Sequence, residues 1–465
     1  MISPVSSHTV PGDESLLSAL LAGERFWPTE AASLADTGLS EPFVEGLVCR
    51  HFLAYGSSSG RNLASHLCLP ASLLEPILKR LRAQQFLVHR GVGPLNDYVF
   101  ALTDEGRKKA MLHQQECSYV GPAPVPLMDY VISVEAQAIA DEPIRRSELL
   151  GAFHDISIDS SLLDLLGPAV NSAAGLFLYG SPGNGKSTLA HRITSCFGQE
   201  IWLPHAIIEG QEVVKVFDPA YHTEVGSSDT RRDVTRSYDR RWLRVRRPTV
   251  VVGGELTMDN LEIRHDSGAN VSEAPLQMKS NCGCLLIDDF GRQRISPTEL
   301  LNRWIIPLEN RHDFLTLGTG KKIRVPFEQL IIFSTNLDPA DLVDEAFIRR
   351  IPYRIEITDP SEVEYHQLFQ LAAEKSGCTY DAGAVEYLLE RHYRPQGRPL
   401  RRCHPRDLLI QIRTYCTYQS MPFEMLPEYF DHIAQSFFTS MRTRSPAQGS
   451  QSQREPALSA RLNQP

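Results

Sequence analysis

The sequence predicts an α/β fold in which a parallel sheet is wrapped by helices and is followed by a block that contains only helices. Short apolar runs of the kind found in buried strands alternate with helical segments from Leu149 to Asp359, and this alternation is typical of a parallel sheet. From Pro360 to Phe438 the apolar residues follow helical spacing alone. We therefore expect an α/β core at residues 145–359 and a helical lid at residues 360–438.

A smaller unit is expected ahead of the core, at residues 41–115. Its apolar spacing predicts three helices, the first near Phe43 and the third from Pro70. Two strand-like segments follow, Phe86–Val88 and Tyr98–Phe100, on either side of a glycine-rich turn. Three helices followed by a hairpin are similar to a winged helix-turn-helix domain.

The remaining segments are expected to connect these domains or to lack a fixed fold. Residues 1–40 are rich in Ser, Thr and Pro, which predicts a flexible N-terminal extension. Residues 116–144 include Gly121-Pro-Ala-Pro-Val-Pro126 and are predicted to form a Pro-rich linker. Residues 439–465 are rich in Ser, Gln, Pro and Arg and are predicted to be a disordered tail.

Composition limits the class of protein. The chain has 465 residues, 42% hydrophobic and 22% charged, with a formal net charge of -9, and these values are ordinary for a globular protein. The acidic balance argues against coating of the whole surface by nucleic acid. The nine cysteines include no Cys-x-x-Cys pair, so we expect reduced thiols rather than disulfides or a zinc site. The chain has no secretory signal and no apolar run near the ~20 residues that span a bilayer, so we expect a cytoplasmic protein with no membrane partner.

The most informative motif is a glycine-rich turn between a predicted strand, Gly175–Tyr179, and a predicted helix that begins at Lys186. Backbone N–H groups of such a turn point at an anion, and the helix N-terminus adds the positive end of its dipole. In this pattern Lys186 reaches the β- and γ-phosphates of a nucleotide and the Ser187 hydroxyl binds Mg²⁺. A purely structural turn is the alternative. The predicted nucleotide-binding residues are Gly180, Ser181, Pro182, Gly183, Asn184, Gly185, Lys186, Ser187 and Thr188.

Two further apolar runs end in polar residues. Cys284-Leu-Leu-Ile is followed by Asp288 and Asp289, and the run that begins at Leu330 is followed by Asn336. Ligands of α/β folds bind at the carboxyl ends of the strands. We therefore assign Asp288 to Mg²⁺, Asp289 to polarising the water that attacks the γ-phosphate, and Asn336 to orienting that water. The alternatives are acids that cap a following helix and a plain Asn at the end of a strand.

Three arginines complete the predicted site. Arg349 and Arg350 lie at the end of the core domain, where either of them can neutralise transition-state charge on the nucleotide of a neighbouring subunit. The sequence does not distinguish between these two positions, and ordinary surface salt bridges are the alternative. Arg406 lies at the start of a helix in the lid, from which it can reach back over the phosphates. Its alternative is a helix-capping pair with Asp407.

Together these motifs resemble an AAA+ ATPase over residues 145–438. The resemblance covers the Walker A loop, the Walker B strand, sensor 1, the arginine finger and sensor 2, and it implies ATP and Mg²⁺ as ligands and a ring oligomer, expected to be a hexamer. These motifs correspond to Gly180–Ser187, Leu285–Asp289, Asn336, Arg349 or Arg350, and Arg406. One departure is that Walker B usually ends in Asp-Glu. Here it ends in Asp288-Asp289, so the second carboxylate is one methylene shorter.

Two other features point to a subgroup of that family. Asp313–Val325 alternates in polarity around a Gly-Thr-Gly turn, which predicts a β-hairpin directly before sensor 1. The hairpin resembles the pre-sensor-1 hairpin of MoxR-like ATPases and enhancer-binding activators. A separation of 102 residues between Lys186 and Asp288 predicts an insert around residues 201–280. In the families it resembles, such an insert engages the substrate at the ring pore.

Two basic segments have alternative interpretations. Between Glu224 and Arg247 there are eight arginines and four acids, which either follow a nucleic-acid backbone or form internal salt bridges or a subunit interface. The unit at 41–115 has nine Lys or Arg residues and five acids between Phe43 and Ala110. Its third helix starts with few groups that read bases, so docking to protein is favoured over docking to DNA.

The sequence therefore supports three hypotheses. The first is an AAA+ ATPase that uses ATP hydrolysis to remodel an unidentified protein client, in the manner of a chaperone. The second is a DNA-bound regulator, in which the winged helix finds a site and the ATPase controls assembly. The third is a nucleotide-binding scaffold with negligible turnover, which the shorter side chain of Asp289 makes conceivable.

Overall fold

A computed structural model of the chain describes residues 25–92, 97–139, 143–153, 160–194, 196–197, 200–225, 237–342 and 348–438. The chain divides into two compact units, and the boundary along the chain lies between Thr358 and Asp359. This division lies one or two residues before Pro360, where the lid is predicted to begin.

The N-terminal domain, residues 41–116, combines helices with a small antiparallel sheet whose strand order is β1-β3-β2. Ser40, Ser59 and Thr103 each begin a helix, because their side chains accept a hydrogen bond from a backbone N–H of the first turn. The short strand β1 and the long helix α4 are additions to the predicted three helices and hairpin. The elements are α1 (Glu41–Tyr55), β1 (Ser57–Ser59), α2 (Gly60–Leu67), α3 (Ala71–Ala83), β2 (Leu87–Val92), β3 (Tyr98–Leu102) and α4 (Asp104–Glu116).

The remainder of the first unit contains most of the strands. The strands are β4 (Val125–Pro126), β5 (Leu176–Tyr179), β6 (Glu200–Pro204), β7 (Ala206–Glu209), β8 (Glu212–Lys215), β9 (Trp242–Arg246), β10 (Thr249–Val252), β11 (Arg264–Asp266), β12 (Val271–Glu273), β13 (Cys284–Ile287), β14 (His312–Thr316), β15 (Lys322–Pro326), β16 (Leu330–Thr335) and β17 (Tyr353–Glu356). The described helices are α5 (Leu127–Ala136), α6 (Arg146–Ala152), α7 (Ser160–Asn171), α8 (Lys186–Thr194), α9 (Leu276–Lys279), α10 (Pro297–Asn310) and α11 (Pro339–Leu342).

Five of these strands form a parallel sheet in the order β10-β13-β16-β5-β17. Along β5, Leu176 and Leu178 are buried in one apolar cluster with residues of α6, α7 and α8. Phe177 is buried on the opposite face with Trp304 of α10. Because both faces are covered, each strand appears in the sequence as a continuous apolar run. The α/β class predicted from the sequence is confirmed.

One strand of this sheet lies within the segment predicted to be an insert. Val250–Val252 belongs to that segment, but it forms part of β10 at one edge of the parallel sheet, in register with β13. A short apolar run has the same appearance in a core strand and in a strand of an added sheet. The predicted insert at 201–280 is therefore wrong in extent, because a core strand divides it.

The segments on either side of β10 build a second sheet, in the order β11-β12-β8-β7-β4, and a separate antiparallel pair, β6 and β9. The antiparallel hairpin of β14 and β15 packs its apolar side chains against them. The apolar side chains of these elements share one core, which is distinct from the two clusters that cover the parallel sheet. Its members include Trp27, Tyr130, Trp202, Trp242, Leu315, Leu317, Ile323 and Val325.

The predicted linker at 116–144 is not a spacer. Within it, β4 pairs with β7 at the edge of the second sheet. Tyr130 of α5 is fully buried, and its hydroxyl donates a hydrogen bond to the carbonyl of Met278, 3.1 Å away. A Pro-rich segment is extended, and extended backbone also suits an edge strand, where proline is tolerated.

The predicted flexible extension at 1–40 is also ordered where the structure describes it. Trp27 is buried, and the guanidinium of Arg241 donates to the carbonyls of Thr37 and Pro124, at 2.8 and 3.2 Å. These contacts attach residues 25–40 to the second sheet region. Residues 1–24 and the predicted tail at 439–465 lie outside the described residues.

The second unit is helical and has its own apolar core. Ser361 begins its first helix through a capping box with Glu364. The side chain of Asp381 accepts from the first N–H groups of the next helix. The elements are α12 (Glu362–Ser376), α13 (Ala382–Leu388), a π-helical turn (Leu389–Tyr393), a 3₁₀ turn (Arg394–Gln396), α14 (His404–Gln419) and α15 (Pro427–Phe437).

Candidate nucleotide-binding site

The glycine-rich turn connects β5, which lies between β16 and β17 in the parallel sheet, to the N-terminus of α8. Gly180, Gly183 and Gly185 all have positive φ values, of 129°, 84° and 85°, a conformation that favours glycine. A side chain at Gly180 would also collide with the backbone, since an added Cβ would lie 2.5 Å from the carbonyl oxygen of Ile357. The turn can therefore bring its backbone close to a bound anion.

Lys186 is the first residue of α8, and its side chain folds back over the turn. Its Nζ donates to the carbonyl oxygens of Gly180 and Ser181, at 2.9 and 3.0 Å, and to Oδ1 of Asn336, at 2.7 Å. The residue is only 6% exposed. A buried cation at the end of a turn that can cradle phosphates has the chemistry that a nucleotide triphosphate requires.

The two acids that follow β13 each form a hydrogen bond with another predicted site residue. The Ser187 hydroxyl donates to Oδ2 of Asp288 at 2.8 Å. The Asn336 amide donates to Oδ1 of Asp289 at 3.1 Å. Asn336 thus bridges Lys186 and Asp289, and the structure brings together residues that lie up to 150 positions apart in the sequence.

The donor set at Ser187 and Asp288 suits Mg²⁺, which binds oxygen ligands and usually takes one or two carboxylates together with substrate phosphates and water. Among the described residues, no group of three or more His, Cys, Asp or Glu side chains is placed to hold a metal ion. A metal at this site would therefore depend on the hydroxyl, the carboxylate and the phosphates of a nucleotide.

The two candidate finger arginines differ in their surroundings. The guanidinium of Arg350 forms an ion pair with Glu309 of α10, with Nε 2.6 Å from Oε1. Arg349 is exposed. Arg350 thus forms a salt bridge, which is the alternative to a role as an arginine finger, whereas the Arg349 side chain is exposed.

Arg406 lies in the first turn of α14, in the second compact unit. Its side chain is 70% exposed and pairs with Asp407 of the same helix, at 2.9 Å. This is the pair that the sequence offered as the alternative to a phosphate contact.

Two side chains that contact the backbone of this site have no signal in the sequence. The Gln293 amide nitrogen donates to the carbonyl of Asp288, and its Oε1 accepts from the backbone N–H of Gly291, both at 2.8 Å. The Thr335 hydroxyl donates to the carbonyl of Phe290 at 2.9 Å. Both side chains hold the turn that carries Asp289. A Gln in a polar loop and a Thr at the end of a strand are too common to be recognised as such.

The arginine-rich segment at 224–247 is largely structural where the structure describes it; residues 226–236 lie outside that part. Arg241 is buried and pairs with Asp239 at 2.7 Å. Arg247 is buried as well and donates to two backbone carbonyls, those of Gln137 and Cys282. Arg244 pairs with Glu200. These contacts favour the interpretation as internal salt bridges over a track for nucleic acid.

The predicted hairpin before sensor 1 is present as β14 and β15, but its tip is not free. The buried carboxylate of Glu212 accepts from the backbone N–H groups of Gly318 and Thr319, at 2.9 and 3.1 Å, and from the Ser272 hydroxyl at 2.6 Å. Burial opposes ionisation of Glu212, but these hydrogen bonds lower its pKa below the usual value. The tip is therefore fixed to the second sheet by a charged carboxylate.

Four basic residues of the N-terminal domain form ion pairs with acids of the same domain. Arg80 pairs with Glu41 and Glu45, and Lys109 also pairs with Glu45. Lys79 and Lys108 pair with acids on their own helices. Arg50 is buried and donates to the carbonyl of Tyr119 at 2.9 Å.

Comparisons with known proteins find similarity to one family model and to solved structures. Residues 361–436 match a family described as a domain of unknown function, DUF8689. No curated protein matches the sequence. Among the described residues, no helix has both the length and the apolar character needed to cross a membrane.

The similar solved structures include RuvB from Thermotoga maritima, described as a Holliday junction branch migration motor, with 14% identity and a TM-score of 0.33 over 63% of this chain and 70% of that one. NtrX from Brucella abortus, in complex with ATP, has 15% identity and a TM-score of 0.33 over 68% of this chain and 65% of that one. The identities are low, and the fold class stands on the strand order and loop geometry of this chain: it is an α/β P-loop fold with a separate helical unit.

Proposed function

We propose that this chain is an ATPase that couples ATP hydrolysis to the remodelling of a protein client. The observation that carries the proposal is the hydrogen-bonded group at the carboxyl edge of the parallel sheet, in which Asn336 joins Lys186 to Asp289 and Ser187 joins Asp288. Each of these side chains has a distinct role in phosphoryl transfer to water.

In the proposed reaction the turn at 180–185 and Lys186 bind the triphosphate, and Thr188 and Arg406 belong to the predicted nucleotide contacts. Mg²⁺, held by Ser187 and Asp288, would supply charge neutralisation at the phosphates. Asp289 polarises a water whose oxygen attacks the γ-phosphorus while the bond from that phosphorus to the bridging oxygen breaks. ADP and inorganic phosphate leave, and the proton released from the water passes by way of Asp289 to solvent.

Arg349 is the arginine that we assign to a neighbouring subunit's nucleotide. Its outward exposure leaves it available to a second copy, whereas Arg350 is engaged by Glu309. An arginine supplied by a neighbour would couple turnover to assembly, in keeping with a ring oligomer.

The client surface is proposed to lie on the outer face of the hairpin. The inner face is buried, with Leu315 and Ile323 in the core of the second sheet, and the tip is held by Glu212. On the outer face Phe314 is 48% exposed. The chain passes from β15 through residues 327–329 into β16, which Asn336 follows, so a client contact at the hairpin is connected along the chain to the nucleotide site.

Regulation through DNA is the second candidate, because the N-terminal domain has the helix and sheet order of a winged helix. The pairing of Arg80, Lys79, Lys108 and Lys109 with acids favours a protein partner instead. Titration of the full chain with duplex DNA at several salt concentrations distinguishes the two functions. Salt-dependent, sequence-selective binding that changes ATP turnover would favour the regulator.

The ATPase assignment is tested by phosphate release from three proteins at saturating Mg-ATP. We expect turnover by the wild type, and losses of at least 100-fold in Lys186→Ala and Asp289→Asn. Nucleotide affinity should fall in Lys186→Ala and persist in Asp289→Asn. Equal rates in all three proteins would show that the chain is a scaffold and not an enzyme.

The remodelling assignment is tested with Asp289→Asn as a trap. This variant should bind ATP without hydrolysing it and therefore retain the client that the wild type releases. Partners that co-purify with the variant and not with Lys186→Ala are the expected result. If the wild type and both variants carry the same partners, remodelling driven by hydrolysis is excluded.

A further inference from the structure

The turn that carries Asp289 has an unusual backbone. Asp289 has a φ of 51°, in the left-handed region that side chains other than glycine seldom adopt. Aspartate is one of the residues that tolerate this region. Strained backbone of this kind persists where surrounding contacts hold it, and it is concentrated at functional sites.

Four contacts hold this turn. The Gln293 side chain bonds to the backbone on both sides of Asp289, donating to the Asp288 carbonyl and accepting from the Gly291 N–H. The Thr335 hydroxyl donates to the Phe290 carbonyl, and the Phe290 N–H donates to the carbonyl of the residue before Thr335, at 2.7 Å. The ring of Phe290 is buried. The position of the Asp289 backbone is therefore fixed from the loop side and from β16.

This bracing has a chemical consequence for the site. A carboxylate one methylene shorter than glutamate must reach the reacting water through the placement of its backbone. In the observed turn, Oδ1 of Asp289 accepts from Nδ2 of Asn336 at 3.1 Å, and Oδ1 of Asn336 accepts from Nζ of Lys186 at 2.7 Å. The turn thus delivers the short side chain to the polar group that surrounds the phosphate end of the site.

We propose that Gln293 is a positioning residue for hydrolysis, which holds the left-handed turn so that Asp289 reaches the attacking water. Its amide serves as donor and acceptor at once, because the nitrogen donates to the Asp288 carbonyl while the oxygen accepts from the Gly291 N–H. Thr335 assists from the neighbouring strand. The inference rests on the proposed ATPase function and adds residues that the Walker motifs do not include.

The test compares Gln293→Ala, Gln293→Glu and Thr335→Val with the wild type in the full chain. Gln293→Glu keeps the acceptor for Gly291 and loses the donor to Asp288, and Thr335→Val keeps the volume and loses the hydroxyl. We expect kcat to fall about tenfold in Gln293→Ala and less in the other two, because general-base catalysis depends on placement. The affinity for Mg-ATP should change less than twofold, since the bracing does not contact the phosphates.

Hydrogen exchange supplies a readout that does not depend on turnover. The peptide that covers residues 288–293 should exchange faster in Gln293→Ala, whereas exchange in the turn at 180–185 should be unchanged. Thr298→Ala, at an exposed position in the next helix, is the matched control and should leave kcat and exchange as in the wild type.

The outcomes separate this inference from the proposed function. A wild type without ATP turnover overturns the proposed function and this inference with it. A wild type that hydrolyses ATP, together with a Gln293→Ala variant of equal kcat or one that loses ATP affinity in parallel with kcat, overturns the positioning role alone.

Discussion

At the scale of single residues, the role that a side chain can have in the candidate site depends on its hydrogen-bond and ion-pair partners. Lys186 contacts the glycine-rich turn and Asn336, and Asn336 also contacts Asp289. These two side chains therefore connect three separate segments of the chain at the edge of the parallel sheet. Arg349 and Arg350 are adjacent and chemically identical, yet one of them is occupied by Glu309. Their local contacts therefore predict different effects on substitution.

Arg349→Ala should lower ATP turnover by about 10³-fold while ATP binding persists, because an arginine finger acts on transition-state charge. Arg350→Ala should leave turnover within a few-fold of the wild type and cost at most about 1 kcal/mol of stability, since its partner is partly exposed. Steady-state kinetics and denaturant unfolding measure the two effects. Mixing Arg349→Ala with Lys186→Ala subunits should restore part of the turnover if the arginine acts in trans. No restoration, or a larger loss in Arg350→Ala, contradicts the assignment.

At the scale of elements, the hairpin of β14 and β15 joins the second sheet to the sensor strand β16. Its inner apolar side chains and the Glu212 contacts make it part of the sheet region rather than an independent loop. The hairpin is therefore expected to be rigid, and its exposed outer face is the part that remains for a partner.

Glu212→Ala should lower the free energy of unfolding by about 1–3 kcal/mol, because it removes the acceptor of the buried Ser272 hydroxyl and of two backbone N–H groups of the hairpin tip. Glu209→Ala is the matched control: Glu209 pairs with Lys321 near the surface, and its loss should cost less than about 1 kcal/mol. Denaturant unfolding of both variants measures the difference. Equal losses of unfolding free energy in the two variants would show that the contacts of Glu212 with the hairpin tip stabilise the fold no more than the surface ion pair of Glu209 does.

Phe314→Ala should abolish or weaken capture of the client by the Asp289→Asn trap while stability and basal turnover stay near the wild-type values. The reason is that Phe314 offers apolar area on the one hairpin face not used for packing. Ile306→Ala, an exposed apolar position on α10, is the control. Unchanged capture in Phe314→Ala would place the client elsewhere.

At the scale of the whole molecule, each compact unit contains a buried histidine that is neutral in the fold. Burial, with a smaller contribution from His66, lowers the pKa of His51 to about 4. Burial, followed by the charge of Arg401, lowers the pKa of His404 to about 4. The His404 ring also accepts a hydrogen bond from the Tyr393 hydroxyl at Nδ1, 2.8 Å away, or donates one to it.

Both units should lose stability as the pH falls from about 6.5 to about 4. In this window the unfolded chain binds a proton at each histidine and the folded chain does not, so the free energy of unfolding rises with pH. Each histidine contributes as much as about 3 kcal/mol across the window. Urea unfolding at several pH values should show how the free energy of unfolding changes with pH. His404→Gln keeps a hydrogen-bonding group for Tyr393 and should remove the part of this pH dependence that comes from the helical unit. An unchanged slope in that variant would contradict a neutral buried His404.

The sequence alone determined the α/β class, the sheet strands β5, β13 and β16, and the identity of the residues that meet at Lys186, Asp288 and Asn336. It could do so because strands buried on both faces leave continuous apolar runs, and because a phosphate-binding turn needs glycine, lysine and a hydroxyl at fixed spacing.

Only the tertiary structure decided the extent of the second sheet, the pairing of Arg350 with Glu309, and the contacts of Gln293 with the turn that carries Asp289. The edge strand β4, the core strand β10 and the buried Trp27 have sequences that suit a linker, an insert and a loose extension equally well. The physical reason is that strand pairing, burial and ion pairing depend on partners that lie far away along the chain. The local amino-acid composition of a segment does not identify those partners.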